Sequence, residues 1–123
     1  MSRTVLLVED TVVAREMVGG ILQGLDCMVV SAEDGLDGLK KYRDFSGEID
    51  LIVLDVQMPK MDGVTMLRYL RRLPGGDTQR VVMLTTQTDQ DTVRSALKYK
   101  VLDFIRKDAP LPQITERLAK FLS

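Results

Sequence analysis

Strand-length apolar runs punctuate this chain, and four of them end in a polar group. Val5-Leu6-Leu7-Val8 leads into Glu9-Asp10, and Leu51-Ile52-Val53-Leu54 leads into Asp55. Val81-Val82-Met83-Leu84 leads into Thr85, and Leu102-Asp103-Phe104-Ile105-Arg106 leads into Lys107. With the run from Cys27, these predict strands over 4–8, 27–31, 50–54, 80–85 and 102–106, the third and fifth nearly all apolar and covered on both faces. Helical spacing between them predicts helices over 12–25, 36–45, 63–72, 89–99 and 112–122. Val13, Met17, Ile21, Leu22 and Leu25 are the expected core stripe of the first helix, and Leu111, Ile114, Leu118, Phe121 and Leu122 that of the last. Strands alternating with helices are the signature of βαβ units, hence of an α/β domain with a parallel sheet. Gly19-Gly20 interrupts the first helix at a cost of about 1 kcal/mol per glycine relative to alanine, and nothing in the sequence accounts for it.

In an open parallel sheet, ligands bind beyond the carboxyl ends of the strands. The four polar ends therefore converge as three carboxylates, a hydroxyl and an ammonium, equipment for holding a divalent cation beside a phosphoryl group. Glu9-Asp10 has a second reading, as the cap of the first helix. Asp55 at a neighbouring strand end favours metal binding, because three clustered carboxylates repel one another and Mg²⁺ takes hard oxygen ligands. A carboxylate on so apolar a strand needs a partner, and carboxylates serve as nucleophiles that form aspartyl-phosphate. Lys107 offers a point charge to the phosphoryl group, or is a surface lysine. Thr85 offers a hydroxyl to a phosphoryl oxygen, or to a nearby backbone group.

Composition narrows the field. The 123 residues make one ordinary domain, and 45% hydrophobic with 28% charged content is that of a soluble protein. A net charge of −1 gives no global field toward nucleic acid or anionic membrane, so neither direct nucleic-acid binding nor membrane insertion is expected. No signal peptide is read after Met1, and a cytoplasmic location is the default. The chain has no histidine, which excludes Ser-His-Asp and Cys-His catalysis and histidine zinc sites. Phosphate handled here must be carried by a carboxylate. Cys27 is the single cysteine, so no intrachain disulfide forms, and it is expected to be a buried, inert thiol.

These residues, with Asp55-Val56-Gln57-Met58-Pro59 running into Met61-Asp62-Gly63, resemble a response-regulator receiver domain of bacterial two-component systems. The spacing agrees over the whole chain, with 45 residues from Asp10 to Asp55, 30 more to Thr85 and 22 more to Lys107. The resemblance implies a flavodoxin-like, doubly wound (βα)5 fold with a five-stranded parallel sheet in the order 2-1-3-4-5. It implies Asp55 as phosphoacceptor, and Asp10, Asp55 and the Gln57 carbonyl as Mg²⁺ ligands, with Glu9 acting through water. Thr85 and Lys107 match the catalytic hydroxyl and lysine, and Thr85 with Phe104 the switch pair. The implied donor is a phosphohistidine on a sensor histidine kinase or phosphotransfer protein. The implied output is a downstream protein target on the fourth helix, fifth strand and fifth helix, a face also open to a phosphorylation-dependent dimer. Gln90, Arg94, Lys98, Tyr99, Lys100, Arg106 and Gln113 are placed there.

Three positions depart from the family. Asp108 stands where many receivers have a cis proline, so a trans or rearranged loop is expected, since a cis bond before aspartate costs about 2.5–4 kcal/mol. Thr86 replaces the usual alanine or glycine and, with Gln57, is expected to modulate access to the phosphoryl group. Phe104 lacks the hydroxyl of the frequent tyrosine, leaving a steric signal. Residues 1–123 are expected to be a single receiver with no output domain, phosphorylating itself and losing the phosphoryl group slowly without being an enzyme toward other substrates. Three alternatives stay open: a phosphohydrolase, disfavoured because Gln57 cannot serve as acid or base; a pseudo-receiver interaction module; and a receiver fragment of a DNA-binding regulator or hybrid kinase.

Overall fold

A computed structural model describes residues 2–86 and 89–123. The strands are β1 (Arg3–Val8), β2 (Cys27–Ala32), β3 (Leu51–Leu54), β4 (Val81–Thr85) and β5 (Phe104–Arg106). They alternate with helices α1 (Val12–Gly24), α2 (Gly35–Asp44), α3 (Gly63–Leu70), α4 (Gln90–Leu97) and α5 (Leu111–Lys120). All neighbouring strands are parallel, in the order β2-β1-β3-β4-β5. The order reverses at β1, so the crevice lies beyond the ends of β1 and β3, where Glu9, Asp10 and Asp55 follow.

The apolar runs are continuous because each strand feeds two cores. Successive side chains point to opposite faces. Leu6, Val8, Ile52, Leu54, Val81 and Met83 pack with α2, α3 and Ala96 of α4 on one face. Val5, Leu7, Leu51, Val53, Val82 and Leu84 pack with Val18 and Leu22 of α1 and Ile114 and Leu118 of α5 on the other. β5 departs from the expectation of a nearly all-apolar strand: it is a three-residue edge in which only Ile105 is fully buried.

The α1 stripe is rotated from its expected face, and the α5 stripe holds except at Leu111. Ala14, Val18, Gly19 and Leu22 are the buried residues of α1, while Val13 is 78% exposed and Met17, Ile21 and Leu25 pack from the margin. Thr11 caps the helix by accepting from the Ala14 amide, which leaves the turn at Val12-Val13 clear of the sheet. In α5, Ile114 and Leu118 are buried as expected, Phe121 and Leu122 pack partly, and Leu111 is half exposed. Cys27 is buried, and burial pushes its thiol pKa up, as expected of an inert thiol.

Gly63 and Gly20 are glycines for opposite reasons. A side chain at Gly63 would collide with the Asp55 carbonyl oxygen, so the turn into α3 presses directly on the backbone of the site. Its amide donates to Val56 O at 2.8 Å, and Asp62 caps α3 through the Thr65 amide at 2.8 Å. At Gly20 an added Cβ would meet nothing within 4 Å. Gly63→Ala should therefore destabilise the fold by about 3 kcal/mol, as overpacking against a fixed backbone does. Gly20→Ala should stabilise it by up to about 1 kcal/mol through helix propensity. Urea unfolding of both variants checks the pair, and equal effects would refute this account.

Candidate phosphoryl and metal site

The ends of β1 and β3 bring three carboxylates together. Carboxylate oxygens of Glu9, Asp10 and Asp55 all lie within 4.8 Å of one another, with Glu9 and Asp55 buried and Asp10 partly so. Parallel pairing sets this distance. Val8 stands beside Leu54 in the register, and the Asp55 amide donates to Val8 O at 3.1 Å. On the other side the Glu9 amide donates to Ala32 O at 3.0 Å.

Lys107 reaches this cluster from the end of β5. Its ammonium lies 2.7 Å from Glu9 Oε2 and donates to Asp55 Oδ2 at 2.8 Å. Burial disfavours the ammonium, but the hydrogen bonds and charges of Asp55 and Glu9 outweigh it and hold the Lys107 pKa above the ordinary lysine value. Burial pushes the Glu9 carboxyl above its ordinary value; Lys107 opposes the shift and the Asp55 charge reinforces it. The remaining oxygens are partly engaged: Val56 N donates to Asp55 Oδ1 at 2.7 Å, and Thr11 N to Glu9 Oε1 at 3.4 Å. Thr11, not Glu9-Asp10, is the helix cap, so the capping reading of the acidic pair is replaced by the cluster.

The other sequence-derived residues lie on β4, β5 and the loop after β3. Thr85, 1% exposed, ends β4, and its carbonyl accepts from the Lys107 amide at 3.2 Å. Thr86 follows it, exposed. Gln57 is exposed on the loop between β3 and α3, and its carbonyl accepts no hydrogen bond among the described residues. Phe104 is half-buried on β5 and packs against the α2–α3–α4 core. The Lys107–Asp108 peptide is trans, as expected. Asp108 forms a two-pronged pair with Arg106, at 3.0 and 2.7 Å.

Two neighbours escaped the sequence reading. Arg15 Nη1 donates to the Glu9 carbonyl at 2.7 Å and pins the backbone of the acidic pair from α1. Asp34, 4% exposed, caps α2 through the Asp37 amide at 2.8 Å and lies 3.7 Å from Lys60 on the Gln57 loop. The Asp34-Gly35 pair carries a cap signal that was available. Contacts of an arginine with a carbonyl carry none.

The donor set suits a small hard cation. Three carboxylates face one ammonium, which leaves excess negative charge among hard oxygen donors.

Comparison with known proteins agrees with this geometry. The family described as the response regulator receiver domain matches residues 5–119. The chain belongs to this family. It is similar to chemotaxis protein CheY of Bacillus subtilis (strain 168), 32% identical over 126 residues and covering 100% of both chains. Among solved structures, CheY4 of Vibrio cholerae superposes with a TM-score of 0.89 at 26% identity, covering 99% of this chain and 100% of that one. The CheX-CheY-BeF3-Mg²⁺ complex from Borrelia burgdorferi gives 0.87 at 27% identity, covering 96% of this chain and 87% of that chain. The chain is thus a CheY-like receiver of two-component signalling, a phospho-accepting class. Its fold is the one the sequence implied.

Lys107 occupies cluster oxygens that a divalent cation would also draw on. Lys107→Ala should strengthen Mn²⁺ affinity by about tenfold by removing a competing charge, while Asp10→Asn should weaken it by about tenfold or more. Titration calorimetry or manganese electron-spin resonance measures both. Weaker binding in Lys107→Ala would contradict the competition.

Proposed function

We propose that Asp55 is the phosphoacceptor of this receiver, taking a phosphoryl group from a phosphohistidine on a sensor histidine kinase or phosphotransfer protein. The observation that carries this reading is the position of the Asp55 carboxylate, 5% exposed, at the end of an apolar strand with the Lys107 ammonium 2.8 Å away. An Asp55 oxygen attacks phosphorus as the bond from phosphorus to the donor imidazole nitrogen breaks, and the imidazole leaves with the bonding pair. Asp10, Asp55, Glu9 and the Gln57 carbonyl would hold Mg²⁺, which would supply charge neutralisation for the phosphoryl transfer.

Lys107 then exchanges its carboxylate contact at Asp55 for a phosphoryl oxygen, and Thr85 supplies a hydroxyl to another. Movement of Thr85 gives Phe104 room to turn inward, a purely steric signal, and biases the α4–β5–α5 face between two states. On that face Gln90, Arg94, Lys98, Lys100, Arg106 and Gln113 are exposed and Tyr99 half-exposed, available to a downstream protein or to a second phosphorylated copy. Gln57 and Thr86 flank the access path and set the phosphoryl lifetime. Gln57 has no ionisable group to activate water, so hydrolysis is slow and no external substrate is turned over. The chain acts as one receiver domain over residues 1–123 in the cytoplasm. None of its described helices is long and apolar enough to cross a membrane.

Intact mass after incubation with acetyl phosphate and Mg²⁺ tests the assignment. One phosphoryl adduct is expected in the wild type, dependent on Mg²⁺ and absent from Asp55→Asn. A beryllofluoride titration separates rapid loss of phosphate from an inert site. No adduct and no beryllofluoride binding would make the chain an interaction module instead.

A further inference from the structure

Arg71 stands at the end of α3 and uses its side chain on two loops at once. Nη1 donates to Gly76 O at 2.8 Å and to Gln79 O at 2.5 Å, in the connection from α3 to β4. Nε donates to Tyr99 O at 2.7 Å and Nη2 to Lys100 O at 3.1 Å, in the turn from α4 to β5. No carboxylate lies within ion-pair distance of Arg71 among the described residues. Asp77, whose charge acts on it, is paired with Lys100 at 2.6 Å. A partly buried cation is therefore spent entirely on backbone carbonyls. Only the planar five-donor fork of arginine reaches four acceptors in this geometry; the compact lysine ammonium does not.

The turn held in this way ends a helix of which little is buried. Of the residues in α4 only Ala96 is buried, next to the last position, and Leu97 is 57% exposed. Tyr99 packs partly against the α2–α3–α4 core just beyond. At the opposite end, Asp89 caps the first turn of α4 through Thr92 N at 3.0 Å and Thr92 Oγ1 at 2.7 Å. Burial and the arginine fork thus gather at the C-terminal end of α4, while its N-terminal end lies on the chain segment that leaves Thr85.

We propose that Arg71 is the pivot of α4, a positioning residue that holds the end of the helix at Tyr99-Lys100 while the end near Asp89-Gln90 moves. This rests on the receiver reading of Asp55. A helix held at one end converts a displacement at Thr85 into a tilt. Gln90 and Arg94 then travel further than Lys98, and the face changes shape rather than sliding as a block.

Hydrogen exchange read by mass spectrometry tests the pivot. In the wild type, beryllofluoride with Mg²⁺ should change exchange by about tenfold or more over residues 90–94 and by less than about twofold over 98–102. In the free protein, Arg71→Lys and Arg71→Ala should each raise exchange over 98–102 by about tenfold or more, since charged hydrogen bonds to those carbonyls are lost. Yield of the acetyl phosphate adduct should stay within about twofold, because Arg71 touches no reacting atom. Equal changes at both ends of α4 in the wild type would overturn the pivot, as would unchanged exchange over 98–102 in Arg71→Lys. If Arg71→Ala does not fold, the wild-type comparison and Arg71→Lys decide. Absence of both an adduct and beryllofluoride binding in the wild type would refute the receiver reading alone, and exchange in the free proteins would still decide whether Arg71 anchors the helix.

Discussion

Three carboxylates compressed within 4.8 Å of one another, with Lys107 bridging two of them, set the terms for the rest of this molecule. Like charges at adjacent strand ends repel, and the fold must hold them in place against that repulsion. It does so with a sheet buried on both faces, whose β1–β3 register leaves Glu9-Asp10 and Asp55 no route apart. The turn at Gly63 closes on the Asp55 carbonyl, and Arg15 fixes the Glu9 carbonyl from the helix above. Rigidity below the site and uncompensated charge within it are two aspects of one arrangement. That arrangement gives a cation and a phosphoryl group something to bind.

The proposed switch draws on the same arrangement. Lys107 and Thr85 share a backbone hydrogen bond at 3.2 Å between the ends of β4 and β5, so the two groups assigned to the phosphoryl oxygens sit on one unit of the sheet. Phe104 opens the short edge strand that leads into Lys107, and it packs against the core that contains Ala96 of α4. In the proposed switch, a change in charge at Asp55 would reach the least buried helix through the shortest strand. Central strands with near-zero exposure could not deliver such a change without breaking two cores at once.

Much of this was legible in the residue order, and the exceptions have physical causes. Strand and helix positions follow from apolar periodicity, which survives folding because both sheet faces are buried. The gathering of the acidic pair, Asp55 and Lys107 was legible because parallel strands carry their polar ends to one side of the sheet. The α1 stripe was misplaced because Val13 and Ala14 compete for the core, and the Thr11 cap, which sets the helix phase, favours the smaller residue. Leu111 stands out because the first turn of α5 begins beyond the sheet edge, with Pro110 at its cap and no side-chain capping bond. Arg15 and Arg71 could not be found at all. A guanidinium bonding to carbonyls leaves no periodicity, spacing or composition behind it.

Sequence alone determined the alternating α/β architecture, the chemistry gathered at the strand ends and the need for a carboxylate rather than a histidine as phosphate carrier. These depend on local periodicity and residue type, which need no partner to be read. Tertiary structure alone decided that Lys107 bridges Glu9 and Asp55, that Asp108 pairs with Arg106, and that Arg71 joins two loops separated by some twenty residues. Each of those depends on distances across the sheet or between its connections, and such distances exist only once the chain has closed on itself.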